Sequence, residues 1–425
     1  MTRRALMLLS LAIAVHAVFV ASLIEPNHFL NPLFVEGVHN LEEGQGSDFY
    51  AFYQAGAYVL EGSDIYQRPM DDPDRVVPYA YFYRYLPFVA YTLGVAFNAV
   101  PPRVAYWIWI ALVEVILLLC IRATWNATRD RSLFAELAAM WLMFTPFYLE
   151  QYMGQLTFVT AALVFMFILG HARGRRGAFE WSWIASLLLK HLTVLYLPIL
   201  VRMRRYRPIL IGAALLILTT VPYLMLRPSG VGHFTHDNFS FNLNPLPGNL
   251  GFLSFLMVVK YHFFPQASEF FASIGPVGLS WTRVMLLGAA GIPTLVCLWI
   301  TFVRRPFDFL ESVALWTILF FFVFREVWEY HYVILIPVFV VLYARTRARV
   351  LWVIYALLAA PTFFALYDVP HDRPEAYWTA FQHVFHHAYM IAPVVWLFVW
   401  VAAGFMRRHS RSIEARADDA LAVTL

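Results

Sequence analysis

The chain has little charge and little lysine. Of its 425 residues 14% are charged and 61% are hydrophobic, whereas soluble domains carry about 25% charged residues. This composition excludes an ordinary soluble enzyme and predicts an integral membrane protein. Lysine supplies two of the 31 basic residues, Lys190 and Lys260. The net charge of +4 fits arginine-rich cytoplasmic loops and gives no indication of nucleic-acid binding.

Cysteine and the common soluble catalytic motifs are also scarce. Cys120 and Cys297 both lie in apolar runs, so no disulfide framework is expected. The sequence has no Walker loop, dinucleotide fingerprint, zinc-finger spacing or serine nucleophile elbow. It also shows no solenoid repeat and no inverted repeat of the transporter kind. These absences exclude the usual soluble nucleotide, zinc and serine-hydrolase sites.

Long apolar segments dominate what remains. A hydrocarbon core needs about 20 apolar residues per helix, and the sequence offers roughly ten to thirteen such segments. We therefore expect an all-α polytopic membrane protein with one domain over 1–406 and a charged cytoplasmic tail over 407–425. Residues 1–24 place Arg3 and Arg4 ahead of an apolar run with a weak cleavage site, which predicts a retained first helix with a cytoplasmic N-terminus.

The arginine clusters predict the topology. They lie at 122–131, 173–176, 202–207, 304–305, 346–348 and 407–411. The positive-inside rule places all of them in the cytoplasm, and residues 25–103 then form the first outer loop. This topology requires 84–100 to dip into the membrane without crossing it. It also requires 181–201 to be a pair of short helices hinged near Lys190 and His191; a single span is the alternative. Segment 251–275 is short and interrupted, and we expect it to be re-entrant or amphipathic.

The predicted outer face collects the polar groups of the chain. The densest stretch is 44–66, GQGSDFYAFYQAGAYVLEGSDIY. Its Asp48 is either a catalytic base that activates a sugar hydroxyl or, with Ser47, an N-cap of the following helix. Asp64 is expected to form a turn beside Gly62 and Ser63.

Three further positions on this face are candidates for substrate binding. Arg84 lies in the aromatic run YAYFYRYLP, which is either an interfacial belt or a phosphate-binding segment. Lys190 and His191 interrupt the apolar run SLLLKHLTVLYLP; a lysine there is either snorkelling or a cation for a lipid phosphate. Gln155 lies in the turn MGQL, which is otherwise a polar helix start.

Two late clusters complete the candidates. Arg325 and Glu326, followed by WEYH at 328–331, form either an ion-pair network or the second half of an active site. In the second interpretation His331 touches the leaving phosphate or the acceptor. The late histidine cluster comprises His371, Asp372, His383, His386 and His387. His383 and His387 are four residues apart, but no third ligand is fixed by spacing, so no metal site is predicted.

Taken in order, several of these motifs resemble a known family. They are SDFYAFYQAGAYVLEGSDIY, YLP, MGQLTFV, LLLKHLTVLYLP and VWEYHYVILIP. The resemblance is to glycosyltransferase family 87, polytopic GT-C enzymes that use polyprenyl-phosphate-mannose. The family includes the α-1,2-mannosyltransferases of actinobacterial phosphatidylinositol mannosides and lipoglycans. The similarity extends from about residue 40 to residue 345. The chain has Tyr85-Leu86-Pro87 where the family commonly has Tyr-Pro-Pro, and Lys190-His191 where it has Lys-Pro.

The resemblance implies a fold, a reaction and a site. The fold would be a GT-C-type bundle with re-entrant helices on the outer face of a bacterial cell membrane. The reaction would be an inverting, metal-independent transfer of a sugar, mannose above others, from a polyprenyl-phosphate donor to a glycolipid or glycan acceptor. Asp48 would be the base and His331 would lie near the donor phosphate. Arg84, Gln155, Lys190, His191, Arg325 and Glu326 are the remaining predicted site residues.

Two other classes of function stay open at this point. A lipid or sugar-lipid transporter would also need re-entrant segments and intramembrane cations. An assembly subunit without activity would tolerate replacement of Asp48 and His331. Product analysis with donor and acceptor supplied in detergent separates these classes, since an enzyme alone makes a new glycosidic bond.

Overall fold

The structure is a computed structural model that describes residues 2–24, 45–67, 75–78, 83–128, 130–239, 249–264, 281–360 and 380–404. These residues form helices and no strand, apart from an isolated bridge between Asn249 and Trp328. The prediction of an all-α polytopic fold is confirmed. One hydrophobic core cluster extends from Ala12 in the first helix to Val401 in the last. The stretches 25–44, 361–379 and 405–425, with His371 and Asp372, lie outside the described residues.

Among the described residues, the first half of the chain forms ten helices and one 3-10 segment. They are α1 (Arg3–Ile24), α2 (Ser47–Glu61), α3 (Pro87–Phe97, with a central π turn), α4 (Pro102–Ala127), α5 (Arg131–Leu142), α6 (Thr145–Met153), α7 (Thr157–Ala172), α8 (Arg176–Leu189), the 3-10 segment His191–Tyr196, α9 (Leu197–Arg202) and α10 (Tyr206–Leu226).

The second half adds seven helices and a second 3-10 segment. They are α11 (Pro228–Phe239), α12 (Phe252–Phe263), α13 (Trp281–Phe302), α14 (Phe309–Val323), the 3-10 segment Glu329–Leu335, α15 (Ile336–Thr346), α16 (Arg349–Ala359) and α17 (Ala380–Ala402). Helix α11 lies inside 227–250, a segment whose richness in His, Asn and Pro predicts a polar outer loop. That prediction is wrong for residues 228–239, while 240–248 are outside the described residues.

Fewer helices span a membrane by themselves than the sequence predicts. Among the described residues, five helices are long and apolar enough to cross, or six if α5 and α6, bent by 42°, count as one span. The described residues thus contain five or six full-length spans, against the ten to thirteen apolar segments that the sequence offers. Six shorter apolar helices account for most of the remainder: α3, α7, the segment 191–202, α12, α14 and α16. At 10–17 residues each is shorter than the roughly 20 residues that a span needs.

Helix α3 is too short to span a membrane by itself, which is compatible with the predicted topology. Its 11 residues reach roughly 16 Å, and it packs along α2 with a very close backbone approach. A Cβ on Gly56 would lie 2.1 Å from the carbonyl carbon of Gly94. Two side-chain bonds hold the crossing: Tyr53 Oη donates to the Val100 carbonyl at 2.8 Å, and Asn98 Nδ2 donates to the Tyr53 carbonyl at 2.8 Å.

The segment 181–201 is broken at Lys190 and turns back on itself. The Trp183 indole donates to the Thr193 carbonyl at 2.9 Å, and the Ser186 and Thr193 hydroxyls are 2.9 Å apart. The 3-10 segment therefore runs back along α8. Arg207 then reaches Glu180 near the start of α8, at 3.3 Å. The two basic loops thus meet at one end, which is the broken pair that the sequence predicts.

Other contacts bring the remaining basic loops to the same end of the bundle. Bonds and ring contacts link Thr2 to Ser132, Arg347 to Asp130, Arg345 to Asp308, Arg304 to the Ala402 carbonyl, and His171 to Phe309. We call this the arginine-rich end. Helix α7 runs from this end to residue 157, a rise of roughly 24 Å. Its far terminus carries the candidate site.

The contact between α2 and α3 generates a stability prediction. We expect Gly56→Ala to lower stability by about 1–3 kcal/mol, since the new methyl group meets backbone that cannot rotate away. Thermal unfolding of the detergent-solubilised protein measures the loss. Gly288→Ala is the matched control, because a Cβ there meets nothing within 4 Å and alanine favours the helix. Equal melting temperatures for the two variants would contradict the close packing.

Candidate active site

Asp48 lies in the first turn of α2, and Gly46 rather than a side chain caps that helix. Gly46 has φ +88° and the cap has no side-chain hydrogen bond. The interpretation of Ser47 or Asp48 as the N-cap is therefore wrong, because the helix already begins at Ser47. The Gly46 N–H donates to the Tyr152 carbonyl at 2.7 Å. This bond anchors the start of α2 to the end of α6.

Gly154 completes the junction between α2 and α6. It ends α6 with φ +69°, and a Cβ at this position would lie 2.5 Å from Cβ of Phe49. The left-handed conformation and the close approach both demand glycine. The turn delivers Gln155 next to Asp48, so MGQL is more than a polar helix start.

Gln155 is the centre of the site. Its side chain is buried, and Oε1 accepts from the Tyr85 hydroxyl at 2.6 Å and from Lys190 Nζ at 3.4 Å. Its Nε2 donates to the Tyr330 hydroxyl at 3.2 Å. A single amide therefore joins side chains from four separate parts of the chain.

The Asp48 carboxyl faces this network but is not fully satisfied by it. Its Oδ2 is buried and has no hydrogen-bond partner among the described residues. Burial raises the pKa of Asp48 to about 6, although hydrogen bonding with Gln155 and the charges of Lys190 and Arg84 act to lower it. A carboxylate with such a pKa can hold a proton taken from a hydroxyl and release it near neutral pH.

Lys190 lies at the break between α8 and the 3-10 segment. Its Nζ donates to Thr157 Oγ1 at 2.7 Å as well as to Gln155. The position is inside the protein, so the snorkelling alternative does not describe it. His191, the next residue, stacks on Phe324 with ring centroids 6.2 Å apart.

His331 lies in the second 3-10 segment, on the side of the network opposite α2. The Trp328 N–H donates to its Nδ1 at 2.9 Å, which assigns the proton of the neutral ring to Nε2. Burial and the positive charges of Lys190 and Arg84 hold the pKa of His331 well below its usual value. The neutral ring that these effects favour would donate a hydrogen bond from Nε2.

Arg84, Arg325 and Glu326 form a charged cluster at the edge of the site. Glu326 pairs with Arg84 and, at 2.6 Å, with Arg325. Asn249 fixes the segment by donating to the Arg325 carbonyl at 2.9 Å and accepting from the Val327 N–H at 2.9 Å. The ion-pair network that was one alternative is therefore present. Arg84 keeps 42% of its side chain exposed.

The described part of the aromatic run is not an interfacial belt. Tyr83 and Tyr85 are buried, so this part belongs to the core.

In the late histidine cluster, the ring centroids of His383 and His387 are 5.0 Å apart, and His262 Nε2 lies 3.0 Å from His383 Nδ1. No group of three or more His, Cys, Asp or Glu that could hold a metal occurs within the described ranges.

Glu150 is the residue that sequence reasoning missed. It is buried in α6, and its Oε1 accepts from the Phe158 N–H at 2.7 Å. Phe158 follows Thr157, whose hydroxyl accepts from Lys190 Nζ at 2.7 Å, so Glu150 lies beside the anchor of Lys190. The sequence does contain a signal for this residue, since Glu150 is an acidic residue in a chain with few acids and lies five residues before Gln155.

Comparison with known proteins adds the class of the enzyme. The family model described as glycosyltransferase family 87 matches residues 83–325, which is more than half of the chain. Searches of curated proteins and of solved structures gave no match. The matched range includes Arg84, Glu150, Gln155 and Lys190, whereas Asp48 and His331 lie outside it. The chain therefore belongs to glycosyltransferase family 87 and is a multi-pass membrane glycosyltransferase.

Proposed function

We propose that this enzyme transfers a sugar, with mannose as the first candidate, from a polyprenyl-phosphate donor to a glycolipid or glycan acceptor. The observation that carries the proposal is the half-buried Asp48 carboxyl among Gln155, Lys190 and Arg84, of which Oδ2 has no hydrogen-bond partner among the described residues. A base, hydrogen-bond donors and cations thus share one site. This is the set that a glycosyl transfer with an anionic leaving group requires.

In the proposed reaction Asp48 takes the proton of an acceptor hydroxyl. The acceptor oxygen forms a bond to the anomeric carbon, and the bond from that carbon to the phosphate oxygen breaks. The electron pair leaves with the polyprenyl phosphate. Attack opposite to the leaving group inverts a β-linked donor to an α-glycoside.

The leaving phosphate would be stabilised by groups that already face the network. Lys190 contributes a charge from inside the protein, and the half-exposed Arg84 contributes one from the edge. Because Arg84 and Arg325 share Glu326, we expect the phosphate to compete with that carboxylate for them. The neutral His331 would donate a hydrogen bond from Nε2. Gln155 and Tyr85 would hold Asp48 in place.

The orientation follows from the separation of charge along the bundle. The basic loops meet at one end, and the site lies at the far end of α7. With the arginine-rich end in the cytoplasm of a bacterial cell, the N-terminus is inside and the site is on the outer face. The donor's lipid tail would enter between helices from the membrane.

Replacing the base gives the first test. We expect Asp48→Asn to lower kcat/KM by about 100-fold or more, the usual contribution of a general base. The assay measures glycosidic product in detergent with polyprenyl-phosphate-mannose and an acceptor lipid. Asp64→Asn is the control in the same stretch, since Asp64 accepts from Tyr223 and Ser229 at 2.5 and 3.2 Å and forms a turn. Near-normal turnover by a folded Asp48→Asn protein would remove Asp48 as the base.

The pH dependence gives a second test. Asp48 must be ionised to accept a proton, so we expect kcat/KM to fall about tenfold per pH unit below a midpoint near 6. Initial rates between pH 4.5 and 8 measure the midpoint, and intrinsic fluorescence over the same range controls for unfolding. A rate that stays constant down to pH 5 would rule out the assignment.

The absence of a required metal is a third expectation. A monophosphate leaving group carries less charge than a diphosphate, so protein cations suffice. Activity should survive dialysis against EDTA within about twofold. Loss of activity with EDTA and its return with Mn²⁺ or Mg²⁺ would contradict this expectation, and no product under any condition would favour a transporter.

A further inference from the structure

Asn249 is a buried side chain outside the set of site residues that the sequence singles out. It lies just before α12 and is 2% exposed, so it has almost no surface to offer to a substrate. Its amide instead bonds to one short piece of backbone, at Arg325 and Val327. This backbone belongs to segment 324–328, which joins α14 to the 3-10 segment Glu329–Leu335. Any role of Asn249 in the reaction must therefore act through that segment.

Both ends of the Asn249 amide are used. Nδ2 donates to the Arg325 carbonyl at 2.9 Å, and Oδ1 accepts from the Val327 N–H at 2.9 Å. The next residue adds a backbone bond, because the Leu250 N–H donates to the Val327 carbonyl at 2.7 Å. The Asn249 side chain thus supplies two of these three bonds between segment 249–251 and the backbone of 325–327.

Segment 249–251 is supported from a second direction. The Tyr332 hydroxyl donates to the Leu250 carbonyl at 2.9 Å, and Tyr332 is fully buried. Gly251 packs closely on Val327, since a Cβ on this glycine would lie 3.0 Å from the valine side chain. The segment therefore gives Asn249 a fixed position from which its amide holds the backbone of 324–328.

The anchored backbone carries the charged edge of the candidate site. Arg325 and Glu326 form an ion pair at 2.6 Å, and Glu326 also pairs with Arg84. Two residues further on, the Trp328 N–H donates to Nδ1 of His331 at 2.9 Å. A shift of this backbone would separate the two arginines that share one carboxylate and would weaken the bond that orients the histidine ring.

We propose that Asn249 is a positioning residue that holds Arg325 and Glu326 where, together with Arg84, they form the binding edge for the phosphate of the polyprenyl donor. This role rests on the proposed function, in which the two arginines bind that phosphate. They contact it both before and after the sugar is transferred, so misplacing them weakens phosphate binding and leaves the acceptor hydroxyl and its base in place. An interaction of this kind affects KM more than kcat.

The test compares Asn249→Ala with the wild-type protein. The variant loses both side-chain bonds and leaves the buried Val327 N–H without its partner. We expect the KM for polyprenyl-phosphate-mannose to rise about tenfold, since a hydrogen bond to a charged group contributes about that factor, and the KM for the acceptor to stay within about twofold. Isothermal titration calorimetry with polyprenyl phosphate alone, in detergent, should show the same weakening without any need for activity.

Two further variants make the result specific. Asn98→Ala is the matched control, because Asn98 also donates to two backbone carbonyls, at 2.8 Å each, but at the crossing of α2 and α3. It should lower thermal stability and leave the binding of polyprenyl phosphate unchanged. Tyr332→Phe removes the support of Leu250 and should weaken that binding about threefold, as expected for a neutral hydrogen bond. This variant decides the question if Asn249→Ala does not fold.

The outcomes separate the role of Asn249 from the proposed function. Unchanged binding of polyprenyl phosphate in Asn249→Ala, or in Tyr332→Phe if the first variant does not fold, overturns this role. A fall in kcat with both KM values unchanged also overturns it, because a general loss of folded enzyme has that effect. The same weakening in Asn98→Ala would overturn it too, because the effect would then follow from any lost bond in the bundle. Failure of the wild-type protein to bind polyprenyl phosphate would instead overturn the proposed function.

Discussion

The site depends on one partly buried ammonium group, that of Lys190. Its Nζ is held by Thr157 and Gln155, and the Asp48 carboxyl shares the Gln155 amide with it. Moving an ion out of water costs several kcal/mol even after relaxation, so the charge persists because opposite charges and hydrogen-bond partners surround it. Removing one partner of a buried ion pair leaves the other charge unpaired. A substitution at one charged residue of this site therefore changes the electrostatic environment of the others.

The fold makes room for these charges by interrupting its helices. Lys190 lies where α8 ends and the chain turns back, so the break exposes backbone groups that the 3-10 segment and side chains must satisfy. Irregular backbone at membrane depth survives only when protein surrounds it. The short helix α3 fits the same pattern, because it begins two residues after Tyr85, whose hydroxyl donates to Gln155.

The α2–α6 junction then fixes the position of the base. Gly46 and Gly154 adopt left-handed conformations, and both bring backbone or side chains close to their neighbours. Asp48 and Gln155, far apart in sequence, become neighbours through these two turns. At the edge of the site, Glu326 pairs with Arg84 and Arg325. These ion pairs complete the charged network next to the 3-10 segment Glu329–Leu335.

The sequence by itself determined that the protein is an all-α membrane protein, that its basic loops share one end, and that 181–201 is a broken pair of short helices. Composition and the positive-inside rule are properties of the chain, so these conclusions needed no contacts. It also singled out Asp48, Lys190 and Gln155, because polar groups stand out in an apolar chain. Tertiary structure decided what those groups do. It showed that Gly46 caps α2, that the Trp328 N–H donates to Nδ1 of His331, that Glu326 pairs with two arginines, and that Glu150 is buried beside the start of α7. Each of these findings depends on which side chains are in contact and on how far water is excluded. The spacing of residues along the sequence determines neither the contacts nor the exclusion of water.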